Sequence, residues 1–332
     1  MTRSVTVIAL DGVLDAALGV TVDLLAAANR IAAGLGRPRP FAVRLVSARR
    51  RVVSGTGLRI GADATIARRD RPDIVVALGL NVPTRQELEE NLGRRDVKAV
   101  QAYLARQAAR GALICAACSA TFFCAEGGLL DGGAATTSWW LAPVFRARYP
   151  RVELRDEALV VESGRIVTAG AALSQIDLML WLIRRCAGAQ VAELCVRYLV
   201  AGQRTSQAQH ALVDQFSHDS ELVRRAERYV RKNLDRVRSV GQIARAVGAS
   251  PRTLARRTRE AVGLSPLGLL RRIRAEQAAH WLATTGESLD GIAARVGYGN
   301  PGSLRQLLWR EFKATARTLR RNRRPGAASA PS

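Results

Sequence analysis

The sequence predicts an α/β domain, with a mostly parallel sheet and helices on both faces, followed by an all-α domain with two helix-turn-helix units. Three observations predict it. Short apolar runs alternate with helix-like segments through residues 1–190. From Ser220 onward only helical periodicity remains. Within that helical part, the segment at 240–254 recurs at 289–304.

Taken in order, Val5–Leu10 is β-branched and apolar, the mark of a strand buried on both faces. Gly19–Ala33 carries apolar residues at helical spacing, and Phe41–Ser47 alternates like a strand. Asp73–Leu78 (DIVVAL) is a short continuous apolar run, and Asp96–Arg110 reads as a helix closed by Gly111. The run Ala112–Ala117 arrives at Cys118. Small residues follow, then an apolar helix-like stretch ending at Gly127-Gly128. Short buried strands between helices build a parallel sheet. Ligands of such sheets bind at the carboxyl ends of the strands. Asp15, Gly79 and Cys118 each lie just past such an end. A helix over Val191–Val200 then leads into the poorly periodic GQRTSQAQHALVDQ. The expected domains are therefore 1–190 (α/β), 191–218 (helix and linker), 219–321 (helical) and 322–332, a disordered tail that is basic and then small and polar.

Net charge is +23 and uneven: Asp219 to Arg324 holds 24 Lys/Arg against 9 Asp/Glu. An arginine-rich composition explains Arg over Lys everywhere but not this asymmetry, which points to a polyanion. No run of 18 apolar residues stands out as a membrane span, and the N-terminus lacks the pattern of a signal peptide. Five cysteines, mostly in apolar contexts, suit a reducing cytosol, so a cytoplasmic location is expected.

In the repeat, Ile243, Ala244, Val247 and Gly248 recur as Ile292, Ala293, Val296 and Gly297. After one inserted residue, Pro251 and Leu254 recur as Pro301 and Leu304. Each unit is a short helix, a glycine turn and a second helix that starts at Ser or Asn followed by Pro. On these residues the chain from 219 to 321 resembles AraC/XylS-type DNA-binding domains. Gly263-Leu264-Ser265-Pro266 matches their G-x-S-P hinge, and Arg274–Leu282 their linking helix. The second unit departs from the family: Leu304 and Leu308 replace aromatics, and Lys313-Ala314-Thr315-Ala316 replaces the terminal G-x-S-P. The resemblance implies double-stranded DNA as partner. It puts base contacts on Arg252, Ala255 and Arg256 in the first unit and on Ser303, Arg305 and Gln306 in the second, with Thr253 and Arg257 among the DNA-binding residues. Arg offers a bidentate fork to guanine and Gln one to adenine; Arg257 and Arg259 suit phosphates or solvent rather than bases.

The first 190 residues resemble PfpI-type, class I glutamine amidotransferase-like domains, through CSATFFCAEGGLLDG (118–132), ATTSWW (135–140), the VVALG run ending at Gly79 and the later segment RVELRDEALVVESGRIVTAGAALSQIDLMLWLI (151–183). Fusion to the helical domain resembles GlxA-type regulators. In catalytic relatives the turn cysteine is paired with a histidine. The three histidines here are His210, His218 and His280, none in the α/β domain, and Ser138 stands where relatives carry histidine. The supporting acid falls near Ala17, with Asp15 the closest carboxylate. A thiol needs such a base, because the thiolate is the nucleophile. Cys115-x-x-Cys118 has no second pair or local histidine to complete a zinc site. Trp139-Trp140 suits packing better than ligand stacking.

The expected protein is a transcription regulator, a homodimer by resemblance, with a non-catalytic α/β domain that binds an effector or dimerises. The expected ligand pocket is Asp15, Gly79, Cys118, Ser119 and Ser138, and no cofactor or metal is expected. Two readings stand beside it: a Cys118-dependent hydrolase or amidotransferase-like enzyme fused to a DNA-binding module, and a constitutive DNA-binding protein whose α/β domain only holds a dimer together.

Overall fold

The structure, a computed structural model, describes residues 1–199, 220–312 and 314–321. Most of the expected linker and the whole expected tail, with His210 and His218, lie outside the described residues. The chain forms two compact units, Met1–Gln207 and Ala208–Ser332.

In the first unit the order is β1 (Arg3–Ile8), α1 (Asp15–Gly34), β2 (Phe41–Ser47), β3 (Arg51–Val53), β4 (Arg59–Gly61), β5 (Ala64–Thr65) and β6 (Ile74–Ala77). Then come α2 (Arg85–Leu92), α3 (Arg95–Ala109), β7 (Leu113–Ala117), α4 (Ala120–Glu126), β8 (Ala134–Ala135), α5 (Ala142–Arg148), β9 (Glu153–Leu154), β10 (Val160–Ser163), β11 (Ile166–Ala169), α6 (Ser174–Ala187) and α7 (Ala189–Tyr198). Seven strands pair in the order β10-β11-β7-β6-β1-β2-β5, parallel except for the antiparallel β10–β11 hairpin.

The apolar runs are continuous because each strand feeds two cores. Val5, Val7, Ile74, Val76, Cys115 and Ala117 pack toward α1, α6 and α7. Their neighbours Ile8, Val75, Ala77, Ile114 and Ala116 pack on the other face with residues of α2 to α5. Helix α1 begins at Asp15, four residues before the sequence pattern suggested. It also corrects the expectation about membrane length: at 20 residues it is long and apolar enough to cross a bilayer. Here it buries Leu24, Leu25, Ala27 and Ala28 in the core.

The second unit is helical: α8 (Glu221–Lys232), α9 (Val240–Ala246), α10 (Pro251–Val262), α11 (Pro266–Thr284), α12 (Leu289–Arg295), α13 (Pro301–Phe312) and α14 (Ala316–Arg321). The repeat becomes two devices with the same caps and turns. Ser239 caps α9 and Ser288 caps α12, each accepting from the backbone N–H three residues on. Gly248 and Gly297 turn the chain at φ +70 and +79, a region that Cβ-bearing residues avoid. Ser250 accepts from Thr253 N–H and Asn300 from Ser303 N–H, opening α10 and α13 ahead of a proline.

Where the second helix-turn-helix departs from the pattern it resembles, the packing closes. Leu304 and Leu308 are fully buried with Ile292, Val296 and Phe312. Thr315 supplies the capping oxygen of the missing motif, accepting from Thr318 N–H at 3.2 Å. Helix α11 joins the two cores through buried arginines. Arg274 donates to the carbonyls of Leu234 and Val237 at 2.8 and 2.7 Å and lies 5.4 Å from the Tyr298 ring. Arg272 stacks 4.9 Å from Phe312 and bonds Glu276, which Arg231 also reaches at 3.2 Å.

Candidate functional site

On α10, Leu254 and Thr258 are buried, so the helix turns Arg252, Ala255, Arg256 and Arg259 outward at i, i+3, i+4 and i+7. Arg252 and Arg256 are exposed and share this face, as the sequence predicts. Thr253 is half-buried, and its hydroxyl sits 2.9 Å from that of the capping Ser250, so the cap engages it. Arg257 is exposed on the flank. A residue missed from the sequence, Glu260, gathers both flanking guanidiniums: Arg256 at 3.0 Å and Arg257 at 3.5 Å. Its i+4 spacing from Arg256 was the available signal. Such an exposed pair is worth about 0.3–0.5 kcal/mol, so it orients Arg256 without locking it away from DNA.

On α13, Leu304, Leu307, Leu308 and Phe312 are buried, and Gly302, Arg305, Gln306 and Trp309 form the outer face. Arg305 and Gln306 are exposed there; Ser303 is half-buried beside the cap. Trp309 is 55% exposed, which is unusual for an indole and adds a flat apolar surface one turn beyond Gln306. Its i+7 spacing from Gly302 was readable and was missed.

In the first unit, the carboxyl ends of β1, β6 and β7 converge. Cys118 follows β7 at φ +58, the one described non-glycine residue with a positive φ. Its N–H donates to the carbonyls of Ala169 and Gly170, both at 3.0 Å, and its carbonyl accepts from Thr137 Oγ1 at 2.8 Å. The strained turn is thus held from both sides. Ser138 Oγ donates to Cys118 Sγ at 2.8 Å, so the residue in the place of the family histidine does meet the thiol. A serine hydroxyl is no base at neutral pH, and burial pushes the Cys118 thiol up while the hydrogen bonds of Ser138 and Ser119 offset only part of this.

Gly79 is required by closeness: a Cβ there would sit 3.0 Å from the Ala117 carbonyl and 3.1 Å from Cys118 Cβ. Ser119 Oγ accepts from Leu80 N–H at 2.7 Å, tying β6 to the turn. Asp15 stands beside it, since Leu14 N–H donates to the Gly79 carbonyl at 3.0 Å. Its carboxylate oxygens are shut from solvent with no hydrogen bond of ordinary geometry among the described residues, and the Ser54 hydroxyl nearby holds the carboxyl below its usual range. The structure therefore brings all five residues to one end of the sheet. Ser119 and Ser138 are fully enclosed, and Cys118 is 6% exposed. Trp139 and Trp140 pack edge to face at 5.4 Å. Among the described residues, no group of three His, Cys, Asp or Glu could hold a metal.

Comparison with known proteins places this geometry. Residues 3–185 match the DJ-1/PfpI family, and residues 243–322 match a helix-turn-helix domain. The chain is similar to the HTH-type transcriptional regulator GlxA of Rhizobium meliloti (strain 1021), 28% identical over 90% of this chain and 89% of that one. It is similar to the HTH-type transcriptional activator RhaS of Enterobacter sp. (strain 638), 37% identical over 24% of this chain and 29% of that one. A solved structure from Vibrio parahaemolyticus shares the fold of the first unit, with TM-score 0.52, 19% identity, and coverage of 60% of this chain and all of that one.

Proposed function

Because the chain belongs to the DJ-1/PfpI family and carries an AraC-type helix-turn-helix domain behind that fold, we propose a DNA-binding transcription regulator that reads two neighbouring major-groove segments with α10 and α13. The observation that carries it is the pair of capped, glycine-turned units, each presenting a polar face with Arg at reading positions. The proposed base contacts are Arg252, Arg256, Arg305 and Gln306, with Thr253 and Ser303 near the backbone and Arg257 on a phosphate. Arg252→Ala and Arg256→Ala are each expected to cost about 1–3 kcal/mol on the specific site. Fluorescence anisotropy on a fragment from the gene's own upstream region measures this. Equal losses on random DNA would reassign these arginines to phosphates.

The α/β unit is proposed to sense a small molecule or to pair two copies in the cytoplasm, without turnover. An effector at the carboxyl-end turn would meet Cys118, which is 6% exposed, before the other residues, because Ser119 and Ser138 are enclosed and the Asp15 carboxylate oxygens are shut from solvent. Among the described residues no histidine stands next to the buried thiol and Ser138 takes that place, which supports the non-catalytic reading. Hydrolase, glyoxalase-like and amidotransferase assays are expected to show no turnover due to Cys118. Activity abolished by Cys118→Ser would establish the enzymatic reading instead.

A further inference from the structure

At the opposite, amino ends of the strands, two adjoining cavities of about 210 Å³ each open between β1, β6, β7 and β11. They share Arg3, Asp73 and Arg165. Arg185 and Cys186 line one, and Arg110 and Gln107 the other. We propose that this cleft binds a small anion with at least two negative charges, of the phosphate-monoester or polycarboxylate class. It is a site separate from the carboxyl-end turn.

Charge favours it. The lining carries five guanidiniums, counting Arg71, against the single carboxylate of Asp73. That carboxylate offsets one of the five charges: its Oδ2 accepts from Ser4 N–H at 2.7 Å and from Ser4 Oγ at 2.8 Å, and these bonds together with the Arg3 charge hold it below the usual carboxylate range. Among the described residues, Arg185 alone of the five has a carboxylate partner beyond the lining, Glu162 at 3.2 Å, on the rim. The guanidiniums nearest the strand ends are held by neutral acceptors. Arg165 Nε donates to the Gly111 carbonyl at 2.7 Å. Arg110 donates to the carbonyls of Arg68 and Asp70 at 3.1 and 3.0 Å. A carbonyl fixes a guanidinium without cancelling its charge, and each guanidinium has five donors. Gln107, fully buried in the wall, donates to the Asp70 carbonyl at 3.0 Å while its Oε1 has no hydrogen-bond partner among the described residues. That oxygen would accept from a ligand hydroxyl. Each cavity is below the ~300 Å³ at which sites for drug-sized ligands begin, so the ligand is small.

Cys186 provides the readout. It is half-buried in the cleft wall, whereas Cys115, Cys118, Cys124 and Cys195 are buried. The full chain is treated with N-ethylmaleimide, and modification of the Cys186 peptide is followed by mass spectrometry. Glycerol 3-phosphate or citrate is present, with sodium chloride at matched ionic strength as the control. The expected result is a slowing of about fivefold or more by at least one of the two anions, and the arm that protects assigns the class. Protection should vanish in the Arg3→Ala, Arg165→Ala double variant, whose unchanged thermal midpoint reports folding. It should persist in Arg256→Ala. Unchanged labelling with both anions, equal protection by chloride, or protection only by duplex DNA would overturn the proposal. Labelling reads occupancy of the cleft alone, so it can fail while the regulator reading stands.

Discussion

Gly297→Ala is expected to destabilise the helical unit by about 4 kcal/mol or more, whereas the equivalent Gly248→Ala costs only about 1–2 kcal/mol. Both glycines adopt left-handed φ, +79 and +70, so a methyl group at either pays the same backbone strain. Their surroundings differ. A Cβ at Gly248 would meet nothing within 4 Å. A Cβ at Gly297 would lie 2.5 Å from Arg274 Nη2 and 2.6 Å from the Leu234 carbonyl oxygen. Those two atoms hydrogen-bond each other at 2.8 Å, and the same nitrogen serves the Val237 carbonyl. The methyl group would wedge the buried charge off its acceptors, each stranded group costing about 1–3 kcal/mol. Against a total stability of ~5–15 kcal/mol that is decisive. Urea denaturation of the two variants compares them directly. Equal losses would show that Arg274 does not brace the turn of the second unit.

DNA affinity is expected to fall about a thousandfold between 50 and 200 mM salt. The outer faces of α10 and α13 expose Arg252, Arg256, Arg257, Arg259 and Arg305, and the segment from 219 to 324 holds 24 basic residues against 9 acidic. If about six phosphates are neutralised, log K falls with log salt at a slope near −5. Exposed pairs such as Arg256–Glu260 break at little cost, so they do not blunt the effect. Anisotropy titrations over that salt range read the slope. A flat response would remove the electrostatic part of the interface.

The elements legible from sequence are those whose cause is local. DIVVAL and Ala112–Ala117 are readable because burial on both faces leaves no polar position in the run. The helix-turn-helix units are readable because capping residues, proline and a left-handed glycine fall at fixed spacing twice. The β3–β4 hairpin was not, since strands of three residues carry too little alternation to register. Nor was the β10–β11 hairpin, although Gly164 at φ +61 marks its turn. At the candidate sites, the chain order predicted that Asp15, Gly79 and Cys118 lie past strand ends. It could not show that Ser138 donates to Cys118 Sγ, because that contact spans 20 residues and depends on Thr137 anchoring the turn. The arginines of the amino-end cleft are scattered along the chain, and only the parallel pairing of β1, β6, β7 and β11 collects them.

Footprinting of the full chain on its own upstream region, with Arg256→Ala and Arg305→Ala, tests the two-helix reading most directly. With α11 bracing both cores through Arg272 and Arg274, the two recognition helices should reach major-groove segments about 34 Å, or about 10 bp, apart. One protomer should protect two base clusters one turn apart, with no palindrome between them because the units differ. Arg256→Ala should weaken one cluster and Arg305→Ala the other, with the larger loss from Arg256→Ala, since α13 opens with Pro301-Gly302 and its outer face carries Arg305 and Gln306 as long polar side chains. A single protected cluster, or an Arg305→Ala protein with both clusters and its affinity intact, would contradict it and leave α13 a structural helix.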